Sequence, residues 1–252
     1  MIRLRIALFG DVHGNTIALE QALPAIEACD PDALVCLGDV ATVGYDPPGA
    51  VRRVAALGCP VVMGNGDEGL FRAPDRSTIS DPETRERIRL VDEIHAWGTA
   101  QLTDEDLALI RKYQPAVEIK ADGWTICACH GSPRSACEPL LPTTGDAQVI
   151  EALTDTRAQV VVGGHTHVPL LRRVGERWLA NAGSVGAPFS TYGGWGQVPV
   201  RPVAQWTVLT VGAGTVEVAF HEVPVDVEAI LAAARASGMP HVDWWCQLWS
   251  RS

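Results

Sequence analysis

Long apolar runs are missing from this chain of 252 residues. No stretch reaches the roughly eighteen residues needed to cross a bilayer, so no membrane-spanning helix is expected. No export signal is expected either. The opening MIRLRIALFGD carries two arginines and a short apolar stretch, then meets Asp11 with no small-residue cleavage site, and reads as a first strand. Cationic side chains are in short supply: 20 Lys and Arg face 30 Asp and Glu, for a net charge of −10 and a pI near 5.1. Such a surface disfavours gripping long nucleic acid, which normally takes a basic one. A small phosphate-bearing substrate at a locally cationic site stays open. Repeats, low-complexity tracts and linkers are also absent. The seven cysteines are odd in number and scattered, which without an export signal points to thiols in a reducing cytoplasm. Cys127 and Cys129, spaced C-x-C in a strand-like run, are expected to pack in the core.

What is present is a globular composition, 47% hydrophobic, ample for one domain spanning 1–252. Residues 3–9 read as a strand broken at Gly10. NTIALEQALPAIEAC follows with helical spacing and Asn15 as N-cap. DALVCLGDV is a second strand, PPGAVRRVAALG a helix opened by proline and closed by Gly58, and PVVMGNGD a third short strand. Alternation on this scale predicts an α/β fold with parallel strands. Residues 71–112 differ: two charged helices starting after Asp81 and Thr103 predict a cap insertion, to about residue 115, with no core of its own. Strands are then expected at 116–120, 124–129 and 159–162, with a hairpin near 169–180 and a strand pair near 205–220. A last helix near 226–236 precedes a tail carrying Trp244, Trp245 and Trp249. That tail is expected either at a contact between copies of the chain or as a flap over the core.

The residues that follow each strand form a pattern. Asp11 and His13 follow the first, Asp39 the second and Asn65 the third. His130 follows the strand at 124–129, and His165 and His167 follow the one at 159–162. Each lies beside glycine, at the strand ends where open α/β sheets bind ligands. Taken singly, each has an ordinary structural role: an Asx-turn for Asp11, a left-handed turn for Asn65, a hydrogen-bonded histidine for His130. Recurrence at the same position after five strands is what points to metal. Seven ligands exceed one tetrahedral centre and suit two five- or six-coordinate ions. Carboxylate and imidazole without thiolate favour Mn, Fe, Ni, Co or Zn, with Mn preferred. Two such ions about 3.5–4 Å apart clamp an in-line displacement at phosphorus and generate hydroxide near neutral pH.

The ordered set D-x-H, GD, GN-x-D, H, G-H-x-H resembles the calcineurin-like metallophosphoesterase superfamily across residues 5–186. GDVATVGYDP and NAGSVGAP are similar to its small bacterial and archaeal members. The resemblance implies a two-sheet β-sandwich flanked by helices in four layers. It implies one metal on Asp11, His13, Asp39 and His167 and another on Asp39, Asn65, His130 and His165. Asp39 would bridge and help activate the hydroxide, with Asn65 and His130 catalytic beside it. One position departs. Family members often carry a histidine after GN that protonates the leaving oxygen; here Gly66 stands in its place, and Asp67 loses the partner it would orient. General acid help is typically worth about 10²–10⁴-fold, so phosphodiesters and activated esters are expected over alkyl monoesters. His95, His221 and His241 are the candidate substitutes, His95 first. Arg134 and Ser132 are expected to contact substrate phosphate, and Tyr45 to stack at the mouth. A phosphomonoesterase or protein phosphatase of the same family, or a catalytically weak scaffold of the same fold, are the alternatives.

Overall fold

The computed structural model describes residues 3–72, 76–77 and 79–249. In it the chain folds into two mixed sheets flanked by helices. The first sheet has the order β2-β1-β8-β9, formed by β1 (Leu4–Phe9), β2 (Ala33–Cys36), β8 (Val203–Gly212) and β9 (Thr215–Pro224). The second runs β3-β4-β5-β7-β6, from β3 (Val117–Ala121), β4 (Trp124–Ala128), β5 (Val160–Gly163), β6 (Leu170–Val174) and β7 (Arg177–Asn181). The expected parallel strands sit within mixed sheets. Among the named strands, β1/β2, β4/β5 and β5/β7 pair parallel, while β8 joins β1 antiparallel, Ile6 facing Leu209. The third expected strand shrinks to isolated bridges, Cys36 with Val61 and Val62 with Gln114, because the chain turns at Gly64 into a short helix, α3 (Asn65–Gly69).

Strand alternation assigns the layers. Ile6 and Leu8 of β1 point between the sheets, where they meet Ile126, Val160 and Val162 of the second sheet. Ala7 and Phe9 point outward onto α1 (Thr16–Glu27) and α2 (Pro47–Ala56), through Leu19, Ala22, Val51 and Val54. On the far side, Cys127, Cys129 and Val161 pack against Val149 and Ala152 of α6 (Asp146–Ala152). Helix starts follow the sequence signals: Asn15, Asp81 and Thr103 each accept a backbone N–H of the first turn. Gly58, at φ +65°, follows α2.

The two charged helices are α4 (Pro82–Gln101) and α5 (Asp104–Ile110); residues 73–75 and 78 of the expected insertion lie outside the described ones. They have no core of their own. Ile94 and Ile110 are buried in the cluster that covers the first sheet, and Arg52 of α2 forks onto Asp106 of α5 at 2.8 Å. After α7 (Val227–Ala236), the tail forms α8 (Val242–Gln247). Trp245 and Trp249 are buried in that same cluster, with Trp244 packed against it. The tail is therefore a flap over the core, and its two buried indoles are unavailable to a second copy. No helix among the described residues is long and apolar enough to cross a membrane.

Candidate metal centre

The ligand-bearing strands are the parallel ones. β1, β2, β4 and β5 run in parallel pairs, so their C-terminal loops can share one edge of the sandwich. To turn inward at that edge, five residues take left-handed backbone: Asp11 (φ 50°), His13 (49°), Asp39 (49°), His165 (67°) and His167 (58°). Asp and His tolerate this region better than most L-residues, yet each such position costs of order 1–3 kcal/mol and persists only where its surroundings over-determine it. The surroundings here are tight. A Cβ on Gly64 would fall 2.1 Å from Asp39 Oδ1, and one on Gly164 would fall 2.6 Å from Asp11 Oδ2.

The structure brings the predicted ligands together. Asp11 Oδ1 lies 3.4 Å from His167 Nε2, 3.8 Å from His13 Nε2 and 3.9 Å from His130 Nε2. Asp39 Oδ2 lies 3.5 Å from His130 Nε2 and 3.8 Å from His13 Nε2. Asn65 Oδ1 is 3.1 Å from His130 Nε2. Two groups of candidate ligands emerge, Asp11–His13–His167 and Asp11–Asp39–His130, all buried. His165 stands beside them, its ring 5.3 Å from that of His130, while its backbone N–H donates to Asp11 Oδ2 at 3.0 Å.

Hydrogen bonds fix how the imidazoles point. Nδ1 of His13, His130 and His167 donates to the carbonyls of Thr42 (2.9 Å), Leu37 (2.8 Å) and Ala187 (2.7 Å). Each ring thus turns Nε2 inward, the tautomer of a metal ligand held by a backbone acceptor. His13 Nε2 and His167 Nε2 then face each other at 3.0 Å. Two lone pairs at that separation repel unless a cation or a proton lies between them. Buried carboxylates, inward Nε2 atoms and an amide oxygen, with no thiolate, fit divalent cations.

Charge within the metal-free cluster is unevenly spread. Burial alone would raise both carboxyls, but His167 and His130 hold Asp11 below its ordinary range, and His130 and His13 hold Asp39 well below. Burial pushes His13 and His165 down to about 4. His130 goes the other way despite burial, raised to about 10 by Asp39 and Asp11. Asp67 is buried beside Asp39 and is pushed up to about 7. It holds a turn, Oδ1 accepting from Val40 N (3.0 Å) and Ala41 N (3.2 Å), which anchors the loop after Asp39.

A cavity of about 350 Å³ adjoins His13, Asp39 and Asn65, walled by α4 and by Trp195. Of the expected substrate contacts, only His95 lines it. Arg134 is off the lining: its guanidinium forks onto Glu138 (2.9 and 2.6 Å) and reaches Glu151 (3.1 Å). Ser132 donates to Glu138 Oε2 at 2.6 Å. Tyr45 is buried against Trp245 of α8, its hydroxyl donating to Asn15 Oδ1. His95 Nε2 donates to the Gly66 carbonyl at 3.0 Å, so that N–H is not free for a leaving oxygen. His221 stacks on Trp206 and His241 pairs with Glu93, both away from the cavity.

Several supporting residues escaped the sequence reading. Ser184 Oγ donates to the Asp11 carbonyl at 2.8 Å and accepts from Ala187 N. Asn181 Nδ2 donates to the Gly164 carbonyl and to Thr166 Oγ1. Both lie in or beside NAGSVGAP after β7, so a strand-end signal was there to read. Trp195 had none.

Comparison with known proteins gives consistent matches. A family model described as the calcineurin-like phosphoesterase superfamily domain matches residues 4–195. An uncharacterized protein of Methanocaldococcus jannaschii is 24% identical over 205 residues, which is 75% of this chain and 79% of that one. A metallophosphoesterase from Sphaerobacter thermophilus aligns with a TM-score of 0.71 at 25% identity, over 97% of this chain and 98% of the other. A hypothetical protein from Pyrococcus horikoshii shares the fold, with a TM-score of 0.74 at 20% identity over 98% of both chains.

Proposed function

The chain belongs to the calcineurin-like phosphoesterase superfamily, and from that premise we propose a dinuclear-metal phosphoesterase acting on small phosphate esters, diesters ahead of alkyl monoesters. One observation carries this reading: two buried carboxylates and three inward-turned Nε2 atoms meet at the edge of a 350 Å³ cavity. What a pair of divalent cations supplies when bound is an acidified water and positive charge against the phosphoryl oxygens. Mn is our first choice, and Asp11, His13, Asp39, Asn65, His130, His165 and His167 are the residues we assign to hold the ions, Asp39 between them.

The chain's own groups do the rest. Thr42, Leu37 and Ala187 carbonyls orient the rings, and Asn65 meets His130. His95 we assign to holding the Asn65–Gly66 turn, because its Nε2–H is spent on the Gly66 carbonyl. With position 66 bare and, among the described residues, no imidazole on the cavity besides His95 and the proposed ligands, we read the leaving oxygen as lacking an imidazole acid. Phenolates and nucleotide phosphates leave without one; alkoxides do not. We read the chain as one unit, 1–252, placed in a reducing cytoplasm by its seven scattered thiols and kept off long nucleic acid by its charge of −10.

The test is metal analysis together with hydrolysis of bis(p-nitrophenyl) phosphate and of alkyl and aryl monoesters under each divalent ion. The expected outcome is metal-dependent turnover of the diester and the aryl ester, with the alkyl monoester slower by about 10²-fold or more. Asp39→Asn should lose both bound metal and turnover. A fully active Asp39→Asn, or equal rates on alkyl and aryl monoesters, would overturn the assignment.

A further inference from the structure

The cavity beside the metal ligands has an indole for a wall. Trp195 stands edge-on to His13, ring centroids 5.1 Å apart at 88°, and in the same way to His167 at 5.9 Å. It is half-buried and lines the cavity, and from α4 Ile88 and Val91 line it too. A phosphoryl group at Asp39 and His13 would therefore have one substituent in a slot with an aromatic wall and an aliphatic one.

The wall is braced from two directions. Arg87 of α4 donates to Glu83 Oε1 and Thr84 Oγ1, both at 2.9 Å. With the Gln197 amide turned to satisfy its neighbours, Arg87 Nη2 also donates to that oxygen at 2.8 Å, and the amide nitrogen donates to the Gly193 carbonyl. Between these lies Gly196, at φ +80°, where a Cβ would come within 3.0 Å of Trp244 Cζ2 and 3.2 Å of Arg87 Cδ. The loop 193–197 is thus gripped between α4 and the tail. A loop merely closing a surface does not need a guanidinium and an indole against one glycine.

We propose that Trp195 is a specificity-determining residue, selecting phosphate esters whose non-leaving substituent is a flat aromatic or heterocyclic group. The proposal rests on the phosphoesterase reading above. An aryl group packed on an indole gains more than its buried area alone would give; a methyl group in the same slot gains little.

Two measurements test it. In the first, the Mn-loaded protein is titrated calorimetrically with phenylphosphonate and with methylphosphonate, which share the anion and differ in the arm. Phenylphosphonate is expected to bind about tenfold tighter. Trp195→Ala should bring the ratio to within twofold of unity, and Trp195→Phe should keep most of it. Equal binding of the two by the unaltered protein, or a ratio unchanged in Trp195→Ala, would overturn the proposal. In the second, bis(p-nitrophenyl) and methyl p-nitrophenyl phosphate, which release the same phenolate, are compared. The loss in Trp195→Ala should fall on the bis-aryl ester and in KM rather than kcat; equal losses on both esters would sink the specificity role. Should no ester turn over while the phosphonate preference and its loss in Trp195→Ala persist, the hydrolase reading fails and the aromatic wall stands. Should Trp195→Ala fail to fold, Trp195→Phe and Arg87→Met, which frees the loop and leaves the indole, carry the same comparison: an unchanged ratio in Arg87→Met together with full loss in Trp195→Phe would also count against the packing argument.

Discussion

Gly66 and Thr42 exclude one another's side chains. A Cβ on Gly66 would sit 2.3 Å from Thr42 Oγ1 and 3.1 Å from Asp39 Oδ1, and the Thr42 hydroxyl is buried with no hydrogen-bond partner among the described residues. The position where family members often carry an imidazole is thus closed from the opposite loop, so restoring the histidine alone will fail. Gly66→Ala is expected to destabilise by about 1–3 kcal/mol, the usual cost of overpacking. Thr42→Ala should relieve part of it, visible as a favourable coupling of at least about 0.5 kcal/mol in a double-mutant cycle followed by urea unfolding. Additive losses would mean that the two sites do not collide. Arg134 yields a second prediction at this scale. Because Glu138 and Glu151 occupy its guanidinium, Arg134→Ala should leave KM for a phosphodiester within twofold; a large rise in KM would return it to the substrate.

Among the elements, α8 does more than its six residues suggest. Trp245 is 1% exposed, stands edge-on to Tyr45, and donates Nε1–H to the Val43 carbonyl at 2.8 Å. Val43 belongs to the loop that begins at Asp39, so the tail clamps from behind a segment that carries a candidate metal ligand. Trp245→Ala should cost about 3–5 kcal/mol as a large buried cavity. Trp245→Phe should cost less, and divalent-ion affinity should fall in step with loop freedom. Chemical denaturation and metal titration on the same variants check this, and unchanged metal affinity in Trp245→Ala would separate the tail from the site. Helix α4 likewise has two jobs: Ile94 plugs the core under it while Ile88, Val91 and His95 face the cavity.

Across the whole molecule, an acidic protein concentrates ionisable groups at one buried edge, and this sets how it takes up metal. In the metal-free state His130 keeps its proton up to about pH 10, whereas His13 and His165, pushed down to about 4, are already neutral at physiological pH. A cation can use His130 only by displacing that proton. Between pH 6 and 8 loading should therefore release about one proton per chain from His130, and affinity should rise with pH. Calorimetry in buffers of different ionisation enthalpy reads the release directly. Affinity falling as pH rises through that window would contradict the assignment of His130 as a ligand. Ions that bind only the folded chain also raise its apparent stability, so the melting temperature should climb with Mn²⁺ and return with chelator.

The sequence by itself determined the seven polar residues at the edge, because each is a local event: a strand stops, a glycine lets the chain turn, and Asp, Asn or His comes next. It determined most of the strands and helices for the same reason, since period and caps are read within a dozen residues. Tertiary structure alone decided what depends on distant segments meeting. β8, some two hundred residues downstream, pairs antiparallel with β1 and makes the sheet mixed. Trp195 reaches His13, Thr42 closes the space at Gly66, and Glu138 and Glu151 pair with Arg134. No spacing rule encodes these contacts, because each is settled by which surfaces bury together once the sandwich has closed.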